Sequence, residues 1–177
     1  ASAAVVLGTA AAVVLVRHRR GLGSSLLAGV GTAPMVLPEV VIGLALVLLF
    51  THPWLPWLGG RGVVAIWVAH TTLATAYVTV LVQARLQEMD HSLEEAAHDL
   101  GCPPGRAFLL VTVPVIAPSL LAGWLMAFTL SMDDFVLAAM LSDPGSTTLP
   151  VLVFARLHHG LKPEINALAT VIVAVVA

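Results

Sequence analysis

Three carboxylates stand where a membrane tolerates few. Glu39 lies near the middle of the apolar run 26–50, and Asp133 and Asp134 lie past the centre of the run 118–141. An acid at mid-bilayer costs about 3 kcal/mol on insertion scales, so it normally faces a cavity, a partner or a pathway. No Lys or Arg lies inside the apolar runs to neutralise these acids. The missing positive charge is therefore expected to arrive as cargo, which points to a pathway for a cation or a polyamine-like amine. For Glu39 the competing reading is a protonated acid, or one hydrogen-bonded to backbone that Pro34 and Pro38 leave unpaired. Adjacent helical residues lie about 100° apart, so one of Asp133 and Asp134 is expected to face the pathway. The other is expected to cap or orient a local break.

Other side chains in the runs carry weaker chemistry. Trp67 and Tyr77 offer rings on which an amine could stack, although aromatics in membrane helices more often pack against neighbours. His70 reads as an interhelical hydrogen-bonding group rather than a proton relay. His158 and His159 are too few ligands for a metal site and read as exposed surface. Cys102 has no partner for a disulfide and no charged activator adjacent.

The elements that must position these groups are membrane helices. The chain is 59% hydrophobic and 10% charged, with mean hydropathy +0.98, against roughly 25% charged residues in soluble domains. A formal net charge of -2 excludes a basic nucleic-acid binder. Lipid is an expected partner. The apolar runs are 1–16, 26–50, 63–83, 118–141 and 165 onward, which predicts an all-α, polytopic helical bundle. The first and last runs are short for a span, so residues 1–177 are expected to be one membrane domain cut at both ends. Residues 51–62 form a turn-rich loop with Trp54 and Trp57 suited to a membrane interface, and 149–158 is expected to be a short interfacial helix.

The long polar interruption runs from His91 to Pro114. Ser92 followed by Glu95 reads as a capping box. Leu93, Ala96, Ala97 and Leu100 then share one face. Gly101 stands where the helix should end, and Pro103-Pro104 should prevent it from resuming. The expectation is a surface helix of about three turns, built to dock into a partner. Helices alternate in direction, so loops 17–25 and 84–112 share one side. Arg17, Arg19, Arg20, Arg85 and Arg106 lie there, against Arg61, Arg156 and Lys162 opposite. That bias puts the docking helix in the cytoplasm.

The spacing Glu95-Ala96-Ala97, three residues, Gly101, nine residues, Val111-Thr112-Val113-Pro114 resembles the EAA signature of ABC importer permeases. Val stands where that signature has Ile and Leu. The stretches 32–50, 61–78, 85–101, 123–154 and 163–170 are similar to the polyamine branch of the family, the putrescine and spermidine/putrescine permeases. The resemblance implies a type I importer permease fold, with this chain holding about five of six spans. It implies that residues 91–114 form the coupling loop. Leu93, Glu95, Ala96, Ala97, Leu100, Gly101 and Pro114 would then engage an ATPase subunit. It also implies two such ATPases, a second related permease, a periplasmic or lipoprotein solute-binding protein, and a bacterial inner membrane. It puts the stretch around Asp133 and Asp134 near the translocation pathway, and Glu39 where polyamine relatives tend to carry an acid. No nucleophile, metalloprotease or phosphate-loop motif occurs. The chain is therefore expected to be no enzyme and to hold no cofactor, with ATP and Mg bound by the separate ATPase. Two other readings stay open: the same permease with a different small solute, or a transporter driven by an ion gradient through the same acids.

Overall fold

The structure is a computed structural model. It describes residues 1–18, 22–54, 59–90 and 92–158, with isolated positions 167, 170, 171 and 174 beyond. Trp57, Arg19, Arg20, His159, Lys162 and most of the run from 165 lie outside the described residues. All regular structure among the described residues is helical.

Among the described residues up to 158, nine α-helices follow one another: α1 Ser2–Arg17, α2 Leu22–Val36, α3 Glu39–Phe50, α4 Val63–Glu88, α5 Ser92–Asp99, α6 Pro104–Ala107, α7 Val113–Asp133, α8 Val136–Leu141 and α9 Leu149–His158. A π-helical turn, Phe108–Thr112, joins α6 to α7. Val63–Glu88 and the continuous stretch Pro104–Asp133 are long and apolar enough to cross a membrane, and the α2–α3 pair makes a third span if the two are counted together. α9 has the bounds the sequence suggests.

α4 is the central post. Ala4, Gly8 and Ala12 recur every fourth residue on α1 and bring its backbone close to α4, as small residues do between membrane helices. A Cβ on Gly8 would lie 2.7 Å from Val78 Cγ1. Gly123 of α7 meets the other side of the same valine, so Val78 is gripped between two glycines. Ala74, Val82, Leu86, Ile116 and Ala127 complete this core. A second core lies further toward the start of α4, where Ala65, Ile66, Ala69 and Leu73 pack on Ile42 and Phe50 of α3 and Leu137 and Leu141 of α8.

Three breaks differ from the sequence reading. The run 26–50 is not one straight span: α2 and α3 meet at 111°. Pro38 supplies no N–H to continue α2 and biases Leu37 away from the helical region. The span placed at 118–141 instead begins at Pro104 and ends at Asp133, because Asp134 is extended, with φ -68 and ψ 114. Pro103-Pro104 does not prevent a helix from resuming. Pro104 sits at the first helical position, where its missing N–H costs nothing. Ten residues later Pro114 cannot donate to the carbonyl four residues back. The chain widens there into the π turn, with Val113 N–H reaching Phe108 O.

The grouping of loops by side agrees with the sequence reading. The end of α1, the end of α4, α5 and the start of the long span meet around one cleft. At the opposite end, Gly62 N–H donates to Leu141 O at 2.8 Å, and Asp143 lies against Gly62. Asp143 accepts from Ser146 Oγ at 2.5 Å and from Gly145 N–H at 3.1 Å. The Ser146 bond, more than any other contact, holds its carboxyl below the usual aspartate range.

Candidate functional site

Two constellations lie at opposite ends of the long helices. The first is the helix α5. It runs for 8 residues, about two turns rather than three. Its start is not the expected capping box. Asp90 Oδ1 accepts the N–H of Ser92 at 2.9 Å, so Asp90 is the cap and Ser92 already belongs to the helix. Glu95 is thereby released from capping, and it is exposed.

The end of α5 is set by Gly101. Its φ of +80° suits glycine and strains other residues. Gly101 N–H donates to His98 O at 2.8 Å and Cys102 N–H to Ala97 O at 3.0 Å, the paired bonds of a Schellman motif. His98 Nδ1 lies 2.9 Å from Cys102 O and adds a further tie. Leu93, Ala96 and Leu100 form an outward ridge, with Leu100 89% exposed. Ala97 departs from the expected face, since it turns partly inward. Pro114 lies apart from α5, exposed in the first turn of α7, and acts on the backbone through the π turn.

Sequence reasoning missed the group that fastens α5. Arg17 Nη2 donates to Glu94 Oε1 at 2.8 Å and to Oε2 at 3.0 Å. Thr112 Oγ1 donates to the same carboxylate. The Arg17 guanidinium stands 5.7 Å from the centre of the Phe108 ring. Beside them opens a cleft of about 240 Å³, lined by Val13, Val16, Leu86 and Met89 as well as the polar groups.

The second constellation surrounds the paired aspartates. Asp134 has an imidazole against it. His70 Nε2 lies 2.7 Å from Asp134 Oδ2, a close approach without hydrogen-bond geometry, and neither atom has a hydrogen-bond partner among the described residues. His70 Nδ1 is 2.8 Å from Ser131 Oγ. Asp134 Oδ1 accepts Leu137 N–H at 3.0 Å and so starts α8. Asp134 is 9% exposed. Both its oxygens serve the break between α7 and α8. Asp133, one residue earlier, is exposed and makes no hydrogen bond or ion pair within the described residues.

The remaining pathway candidates are scattered. Glu39 is not in the middle of a helix. It is the first residue of α3, exposed at the 111° bend. Trp67 is 58% exposed on the outer surface of the chain. Tyr77 is partly buried against the second core. Among the described residues no group of three His, Cys, Asp or Glu side chains is placed to hold a metal ion.

Residues 4–177 match the family described as binding-protein-dependent transport system inner membrane component. The chain belongs to that family. It is a membrane protein of a transport family, not of an enzyme family. It is 52% identical over 99% of its length to the putrescine transport system permease protein PotI of Escherichia coli (strain K12). It is 32% identical over 98% of its length to the spermidine/putrescine transport system permease protein PotC of Haemophilus influenzae. A PotC homolog of Mycoplasma pneumoniae is 29% identical over 93% of the chain. The chain spans 63% of the length of the first of these relatives and 65% of the second. The family resemblance read from Glu95 to Pro114 agrees with this membership.

Proposed function

We propose that this chain is the membrane-crossing permease of an ATP-driven importer of polyamines in a bacterial inner membrane. The observation that carries the reading is its 52% identity with a putrescine permease over 99% of the chain. The outward ridge of α5 supports it. Leu93, Glu95, Ala96 and Leu100 enter a groove on a separate ATPase subunit, where side chains as small as alanine allow close approach. Ala97 and Gly101 keep the helix short and its end fixed. ATP and Mg are held by a pair of such ATPases, and a second related permease completes the pathway. A periplasmic or lipoprotein binding protein delivers the cargo. Closure of the ATPases moves α5 and opens the pathway outward; release of ADP and phosphate resets it.

For the cargo, Asp133 is the better carboxylate of the pair, because its oxygens are uncommitted while those of Asp134 are not. Glu39 supplies a second negative charge, and Tyr77 and Trp67 supply ring faces for an amine. The test is uptake of labelled putrescine by cells carrying the intact complex, with spermidine and a neutral solute as competitors. Competition by amines alone, lost uptake when the ATPase is inactivated, and impaired uptake by Asp133→Asn are expected. Competition by the neutral solute would overturn the cargo assignment. Uptake that survives ATPase inactivation would overturn the ATP-driven class.

A further inference from the structure

Among the described residues of α5, Glu94 is the one whose side chain hydrogen-bonds outside its own loop. Its partners lie on two different membrane helices. Arg17 ends α1, and Thr112 closes the π turn at the root of α7. A helix of two turns is not stable alone, so its position is set by what its inner face touches. That face is polar and half-buried: the Glu94 side chain is 17% exposed and that of Arg17 42%, while Thr112 is 1% exposed. Isolated surface ion pairs contribute little. This one differs, because one carboxylate holds two helices through charge-assisted bonds and the guanidinium is seated over Phe108.

We propose that Arg17 and Glu94 are positioning residues that transmit displacement of α5 to the membrane helices. The proposal rests on the ABC permease reading above. Movement of α5 pulls α1 through Arg17, and α1 is locked to α4 by the Gly8–Val78 approach. The same carboxylate pulls the π turn through Thr112, and α7 carries that motion to Asp133 and Asp134 at its far end. π turns inside α-helices are rare and concentrate at functional sites, which suits such a root. Glu95 faces outward toward the ATPase. The adjacent glutamates thus divide the work, one gripping the membrane helices and the other the partner.

The experiment uses the complete complex in proteoliposomes and measures cargo uptake and ATP hydrolysis together. The variants are Arg17→Gln, Glu94→Gln and the exchanged pair Arg17→Glu with Glu94→Arg. Each single variant should lower uptake per ATP by about tenfold, a size in keeping with coupling between contacting charged residues. Hydrolysis should continue, and the exchanged pair should restore most of the lost ratio. An unchanged ratio in the single variants overturns the proposal, as does an exchanged pair no better than either. Failure of the single variants to assemble, with recovery on exchange, assigns the pair to folding alone and also overturns it. Failure of the unmodified chain to assemble with any ATPase overturns the permease reading itself, which separates the two outcomes.

Discussion

His70 and Asp134 clamp the far end of the long span, Nε2 to Oδ2 at 2.7 Å. The clamp joins α4 to a break that contains no proline and no glycine. Asp134 therefore replaces sequence-encoded breakers with a side chain, holding the new helix through Leu137 N–H. Removing His70 breaks the bond between Nδ1 and Ser131 Oγ and strips the imidazole from the buried carboxylate, at a cost of about 1–3 kcal/mol. His70→Ala should lower the melting temperature of the detergent-solubilised complex. Asp134→Asn, which keeps an acceptor for Leu137 N–H, should lower it less than Asp134→Ala does. Equal melting of all three variants and the unmodified protein would show that the clamp is idle.

The cap of α5 separates two readings that the sequence alone leaves side by side. Asp90→Ala removes the acceptor for Ser92 N–H and should destabilise the helix start by about 1 kcal/mol. Ser92→Ala should do almost nothing. Amide exchange across 92–99 measures both. A stronger effect at Ser92 would restore the capping box.

The approach of α1 to α4 can be tested by adding one methyl group. Gly8→Ala sets a carbon 2.7 Å from Val78 Cγ1, an overpacking that costs about 1–3 kcal/mol. Val78→Ala in the same chain should recover part of that loss. Chemical denaturation in detergent is the measurement, and additive losses in the double variant would count against the contact.

Gly101→Ala forces a residue with a Cβ to φ +80°, costing about 1–2 kcal/mol. Gly101→Asn should cost less, because asparagine tolerates the left-handed region. The readout is the affinity of the solubilised permease for its ATPase, since the outward ridge of α5 depends on where the helix stops. Identical affinity for the glycine and alanine forms would detach docking from the helix end.

Local rules made some of this molecule legible and non-local contacts hid the rest. Gly101 and α9 could be read from sequence because backbone sterics and amphipathic spacing act within a few residues. The cap at Asp90 was masked by Ser92, a stronger-looking candidate only two positions on. Arg17 and Glu94 are 77 residues apart, and no periodicity reports such a pairing. Of the adjacent glutamates, Glu95 draws attention through the signature, while Glu94 acts through a partner that only folding supplies. His70 within an apolar run is legible as an interhelical group, whereas Asp134, far along the chain, is a neighbour that only folding supplies. Pro38 announced a disturbance in 26–50, but a proline alone does not specify a 111° bend.

The stretch Pro104–Asp133 has 30 residues and is therefore about 45 Å long, against a hydrocarbon layer of about 30 Å. Hydrophobic mismatch of this size is relieved by tilt or by letting one end project among the headgroups. Arg17, Glu94 and Arg106 make the root a charged end, so a surplus there projects among the headgroups beside Thr112. Bilayer thickness then sets how much water reaches that ion pair. A thicker membrane draws it toward oil and tightens it, and a thinner one hydrates it.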